Sequence, residues 1–364
     1  MRRLILFLAV CLPVATGCRH AGVPSLPASH GHLSHAMELY LDAERPPDEP
    51  KRVQVVARDF YAPAPERELS RDEAPRVFQE AVQVLAGKPS KDEVQTAWLD
   101  ISAACSAELT EACTYAQSQF QRPIRVSGEP PSLTSGAINA RTSFLVVLRA
   151  RLGTDGRIRR FTVIESGPYG ITEAFIKTLG AHVYEPARLA GHPIEFSLKF
   201  NIRSYPQGHL LEEAELKWLR ARVTQFPASE DAWLELARFL ARHAPEDPQY
   251  EKALDSLNRL QALDGWSATE LAWLRAQEGE YAEAEPLAKV GRRFAPENPY
   301  ALETSARVAF HLGRCRDAIA DQQQAVAKLP KAWPEEERVR FKQALDTYQR
   351  GCSSEAAPAA PLNG

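Results

Sequence analysis

Two alternating runs flanking an Asp-Gly turn restrict the fold of this 364-residue chain more than any other feature. In the first run Phe144, Val146, Leu148, Ala150 and Leu152 share one face, while Leu145 and Val147 give way to Arg149 and Arg151 on the other. Thr154-Asp155-Gly156 then leads into Arg157–Glu165. Asp-Gly between alternating runs is a strong hairpin signal, because glycine accepts the positive φ of a tight turn. After Ser166-Gly167-Pro168, the stripe Ile171, Ala174, Phe175, Thr178 and Leu179 has helical spacing. A last strand follows, in which Ile194, Phe196, Leu198, Phe200 and Ile202 alternate with Glu195, Ser197, Lys199, Asn201 and Arg203. Such alternation predicts an antiparallel sheet with one buried and one wet face.

Helices surround this segment. Ser70-Arg-Asp-Glu73 and Ser90-Lys-Asp-Glu93 are capping boxes, and the apolar spacings Val77, Phe78, Ala81, Val82, Leu85 and Val94, Ala97, Trp98, Ile101 follow them. They predict a small helical module over residues 69–122. From about Leu210 the pattern is all-α and repeats. Gly279 and Gly313 are 34 residues apart, as are Ala272 and Ala306, Ala284 and Ala318, and Pro296 and Pro330. An earlier unit places Trp233, Leu236, Ala237, Leu240 and Ala253 in the same register if about four residues are inserted near Pro245, and Glu335–Arg350 would form a final capping helix. Small residues at that period resemble the tetratricopeptide repeat, whose helix pairs stack closely.

The strand–Asp-Gly–strand, Ser166-Gly167, the helix, Pro186-Ala187, Gly191-His192-Pro193 and the closing strand together resemble the TonB C-terminal domain over about residues 124–203. The expected fold class is therefore α+β and multidomain: a small antiparallel βαβ-type TonB C-terminal-like domain (123–205), preceded by the helical module and followed by tetratricopeptide-like repeats (210–352). The resemblance implies capture of a protein segment by strand addition, with the stretch carrying Ile194, Phe196, Leu198, Phe200 and Ile202 as the receiving edge. It also departs from that family. Pro130-Pro131 stands where the family has Tyr-Pro, and a repeat domain follows the family's usual end.

The N-terminus reads as an address. Arg2 and Arg3 precede an apolar core from Leu4 to Val14, shorter than the ~20 residues that span a bilayer, so residues 1–17 are expected to be a cleaved signal. Ala15-Thr16-Gly17-Cys18 resembles a bacterial lipobox, which implies lipidation of Cys18 and anchoring by acyl chains. Arg19 after it implies the outer membrane of a Gram-negative envelope, with the chain facing the periplasm. Residues 18–68 form a tether with proline clusters at Arg45–Pro50 and Ala62–Glu66, and residues 353–364 a disordered tail. A lipid in place of an uncleaved helix leaves no direct route to an inner-membrane motor.

Four cysteines remain in the mature chain: Cys105, Cys113, Cys315 and Cys352. An even count in an exported chain suggests two disulfides, and 105–113 with 315–352 is the simplest of three pairings. Eight residues of continuous helix separate Cα atoms by about 12 Å, beyond the ~7 Å a disulfide bridges. The 105–113 bond therefore needs a break between two helices, with Thr110 placed to cap the second; two reduced cysteines in one helix are the alternative. Such C-x7-C pairs resemble those that staple helix-turn-helix units in disulfide-bonded α/α repeats. In the repeat register Cys315 begins one helix and Cys352 follows the end of the next, so their bond would clamp the cap.

Without Arg2 and Arg3 the chain holds 42 basic against 47 acidic residues, which offers no basic field for nucleic acid. No G-x-S-x-G, H-E-x-x-H, C-x-x-C or phosphate-cradling loop is present. Ser166 lacks a local base, and His30-Gly-His-Leu-Ser-His35, His182 and His192 lack the partners of a metal site. The expectation is a non-enzymatic, lipid-anchored binding scaffold with no cofactor and no metal. Its TonB-like sheet takes an envelope protein segment while its repeats hold a second protein. The alternative is an accessory of TonB-dependent transport beside a true energy transducer, with an outer-membrane transporter as partner.

Overall fold

The computed structural model describes residues 55–56, 69–107, 109–140, 144–204, 212–329 and 335–355. The signal segment, Cys18, the His30–His35 cluster and the end of the tail lie outside them. The chain divides into two compact units, one of residues Pro46–Ala232 and one containing Trp233–Gly364.

The first unit opens with strand β1 (Val55–Val56) and helices α1 (Ala74–Ala86), α2 (Lys91–Ser106) and α3 (Thr110–Gln119). Both capping boxes form: Glu73 N donates to Ser70 Oγ at 3.3 Å, and Ser90 N donates to Glu93 at 2.7 Å. Short strands β2 (Phe120–Gln121) and β3 (Ile124–Ser127) and helix α4 (Ser135–Ala140) lead to the hairpin of β4 (Phe144–Leu152) and β5 (Ile158–Glu165). Gly156 takes φ +75° in the turn, and its carbonyl accepts from Tyr184 N at 2.9 Å. Helix α5 (Ile171–Gly180) follows, then β6 (Val183–Glu185), β7 (Arg188–Leu189), β8 (His192–Pro193) and β9 (Phe196–Ser204).

The main sheet is antiparallel at β9, β4 and β5 and has the order β1-β9-β4-β5. All nine residues of β4 are in register with β9, from Phe144↔Ser204 to Leu152↔Phe196. Val146, Leu148, Ala150 and Leu152 pack with Ile171, Phe175 and Leu179 of α5, and each large apolar side chain there is worth about 1.5–3 kcal/mol when removed from water. The wet second face is only half as expected. Leu145 and Val147 are buried, and helix α6 (Glu212–Gln225) brings Trp218, Ala221 and Arg222 to that end. Arg149 and Arg151 remain exposed at the other end.

The helical module is not separate from the sheet. Val94, Ala97, Trp98 and Ile101 share a core with Ala187, Leu189, Ile194 and Phe196. Strand β2 pairs with β7 across the boundary expected at 122/123, while β3 pairs with β6 within the expected sheet domain. The cause is long-range pairing: Phe120 stacks on Trp98 at 5.4 Å and meets Phe196 at 5.2 Å.

The second unit is helical. Helix α7 (Glu230–His243) enters it, followed by α8 (Gln249–Arg259), α9 (Gly265–Gln277), α10 (Tyr281–Phe294), α11 (Pro299–His311), α12 (Cys315–Lys328) and α13 (Glu335–Glu355). Gly279 and Gly313 take φ +85° and +75° just past α9 and α11, the left-handed position that ends a helix. Ala272, Ala284, Ala306 and Ala318 are wholly buried, which permits the close helix contacts that the 34-residue period predicts. Helix α13 runs past the expected end at Arg350, so Ser353–Glu355 are helical rather than tail.

Cys105 and Cys113 are bonded across the break between α2 and α3, with Cα atoms 4.7 Å apart. Cys315 at the start of α12 is bonded to Cys352 near the end of α13, with Cα atoms 5.6 Å apart.

Candidate functional site

The stretch expected to receive a partner strand lies inside the sheet. Strand β9 has β4 on one side and β1 on the other, with Val55↔Ile202 and Val56↔Asn201 in antiparallel register. Its alternating apolar residues serve the core. Ile194 precedes the strand and packs with Phe196 against α1 and α2, whereas Phe200 and Ile202 face the α5 core and Leu198 touches both clusters. What β9 can offer to another strand is its outer backbone edge and the opposite side chains. Lys199 is tied to Asp231 at 2.8 Å, and Asn201 lies directly beside β1. Asn201 Oδ1 is buried and has no hydrogen-bond partner among the described residues.

Sequence reasoning missed Val55–Val56. Its signal is faint but present: Lys51-Arg-Val-Gln-Val-Val-Ala-Arg58 is rich in β-branched residues and lies between the two proline clusters.

A cavity of about 280 Å³ opens between the exit of β5 and α6, walled by Phe144, Leu145, Trp218 and Phe226 with Ser166 and Gln225. Beside it Glu165, 1% exposed, accepts from Arg222 Nε and Nη2 at 3.0 Å each and from Ser229 Oγ at 2.5 Å. Ser229 Oγ also accepts from Ala232 N at 3.1 Å and so starts α7. The Arg222 guanidinium lies 4.7 Å from the Trp218 ring centre. These bonds commit Glu165 to holding α6 and Ser229, and among the described residues no histidine lines the cavity beside Ser166. His182 is buried between Tyr184 and the Glu129 carbonyl, and His192 meets the Leu85 carbonyl at 3.2 Å. Among the described residues no group of three or more His, Cys, Asp or Glu could hold a metal, and no helix is long and apolar enough to cross a membrane.

The repeat unit keeps charge inside. Tyr250 Oη donates to Glu270 Oε2 at 2.8 Å, and both residues are buried. Burial pushes the Glu270 carboxyl up to about 8, against a smaller lowering by the Tyr250 hydrogen bond. Glu303, also fully buried, takes Arg340 Nη2 at 3.0 Å and so ties α13 to α11. Arg307 lies 4.8 Å from the centre of the Trp273 ring. Helix α9 is buried on every side from Gly265 to Trp273, so that stretch offers no exposed recognition surface.

The chain matches no family model and no curated protein. Among solved structures it is similar to MamA from Desulfovibrio magneticus RS-1, at 13% identity over 41% of this chain and 88% of that one, with a TM-score of 0.29. It is also similar to TTC0263, a TPR protein of Thermus thermophilus, at 21% identity over 36% of this chain and 71% of that one, with a TM-score of 0.28. At these scores the likeness carries no argument about function. The repeat reading rests on the period and on the packing of α9 to α13, and the TonB resemblance rests on the residues that first suggested it.

Proposed function

We propose that this chain is a lipid-anchored scaffold of the bacterial envelope, held through Cys18 at the outer membrane and facing the periplasm. Its sheet captures an extended segment of an envelope protein at the outer edge of β9, and its helical repeats engage a second protein. The supporting observation is that this edge already takes a strand, Val55–Val56, from a distant part of the same chain. Strand addition needs an edge with the right backbone geometry, and pairing supplies affinity through main-chain hydrogen bonds.

Affinity capture of the full chain from detergent-solubilised envelope tests the proposal. Recovery of stable partners that are lost from an Asn201→Pro variant, itself shown to be folded by circular dichroism and thermal melting, supports it, because proline removes a backbone donor from the strand. Partners retained in full by that variant count against strand addition. An outer-membrane transporter among the lost partners moves the reading to an accessory of TonB-dependent transport. A Cys18→Ser variant that still partitions with membranes refutes the lipid anchor.

A further inference from the structure

The order β1-β9-β4-β5 leaves β5 at an end of the sheet. Its outer side is met only at the start, where Val183 of β6 bridges Arg157. Beside Arg159–Ile164 no strand is paired on that side among the described residues. The open stretch continues the line of β6 and has the length of about six extended residues, or roughly 20 Å. Unpaired backbone groups along such an edge are a template for another strand. The two faces of β5 differ there. Phe161 and Val163 stand opposite Ala150 and Leu148, on the side packed against α5, and Val163 is 45% exposed. Arg160 and Thr162 stand opposite Arg151 and Arg149 on the other side, and both are exposed. Arg151 is paired with Glu195 at 2.6 Å and Arg159 with Asp155 at 2.7 Å, whereas Arg157 and Arg160 make no ion pair among the described residues.

We propose that the outer edge of β5 is a second docking site, which takes an acidic extended protein segment with alternating side chains. Carboxylates on one side of the segment face Arg160, and apolar residues such as valine on the other cover Val163. Opposite charges on neighbouring strands attract and like charges repel, so the arginines choose the occupant. A second copy of this chain would bring its own Arg157, Arg159 and Arg160 into the same seam, and a basic segment is rejected in the same way. Backbone pairing supplies the affinity, and the alternation of charge with apolar side chains supplies the selection. Strand β4 lies between this edge and β9, so one sheet serves two segments.

The test uses the full chain in detergent and a short fluorescent peptide of alternating valine and glutamate. Fluorescence anisotropy is expected to show binding that Arg160→Glu weakens at least about threefold. The same variant is expected to bind the valine–lysine counterpart at least about threefold more tightly than the unaltered chain does. Arg160 is exposed, and circular dichroism and thermal melts verify that the variant is folded. Two further peptides are N-methylated, one at every valine and one at every glutamate. An added strand turns the N–H groups of only one set toward β5, so one of these peptides should lose binding and the other keep it. Unchanged binding of the glutamate peptide to Arg160→Glu overturns the proposal. Equal binding of the lysine and glutamate peptides to the unaltered chain, equal binding of the two N-methylated peptides, or no peptide binding also overturns it. Arg160-dependent binding of phosphatidylglycerol vesicles in place of the peptide assigns the edge to a membrane and overturns it too. The variant alters β5 alone, so an empty capture from the envelope would refute the proposed function and leave this result standing.

Discussion

Replacing Glu270 by glutamine should remove a pH dependence that is built into the repeat unit. The carboxyl is fully buried, and burial raises it from an ordinary 4.5 to about 8. Between those values the folded chain holds a proton that the unfolded chain has released. Stability contributed by this site is therefore complete below about pH 4.5, falls as pH rises through the window, and levels off above about pH 8. At about 1.4 kcal/mol for each pH unit, the full loss is on the order of 5 kcal/mol. Glu270→Gln keeps the shape and the acceptor for Tyr250 but has nothing to ionise. Urea unfolding followed by tryptophan fluorescence reports on this unit through Trp266 and Trp273, both 1% exposed on the same helix. Across about pH 5 to pH 8 the unaltered chain should lose stability relative to the variant, with the gap widening through that window and constant above it. Other groups titrate in both proteins and cancel in the difference. Superimposable profiles would refute the reasoning.

Other perturbations follow from the same packing. Removing the clamp with Cys315→Ser and Cys352→Ser opens a loop with a sequence separation of 37, and the loop-entropy relation predicts a loss of about 4 kcal/mol in chemical denaturation. Arg340→Ala strands the buried Glu303 carboxylate and should cost about 3–5 kcal/mol, whereas replacing both partners by apolar residues of similar volume should recover most of that loss. Gly156→Ala forces a side chain onto φ +75° and against the Tyr184 carbonyl, so the sheet unit should lose more than about 1 kcal/mol in thermal unfolding.

The hairpin, α5 and the glycine-terminated helices were legible because each has a local code: a period of two, a period near 3.6, or a left-handed glycine. The edge of β9 was not. Alternation of Ile194 through Ile202 says which face is buried, but it carries no information about which strand lies alongside. The shared core of α2 with β7 and β9 was hidden for a similar reason, since Phe120 and Leu189 are far apart in sequence and nothing local announces their pairing. Leu145 and Val147 did hold a clue. Apolar residues on the supposedly wet face marked where α6 would cover it. Nothing local in the sequence marks Glu165, Glu270 and Glu303 for burial; their tertiary partners Arg222, Tyr250 and Arg340 explain it.

The central claim is that the outer edge of β9 receives a strand from another envelope protein. Site-specific photo-crosslinking in intact cells tests it most directly, with a photoreactive residue at Ser197 on β9 and a control at the exposed Glu80 on α1. The account predicts an adduct with a second envelope protein from position 197, absent from position 80 and weakened when Asn201→Pro is added. Identical adducts from both positions, or no adduct from Ser197, would contradict it.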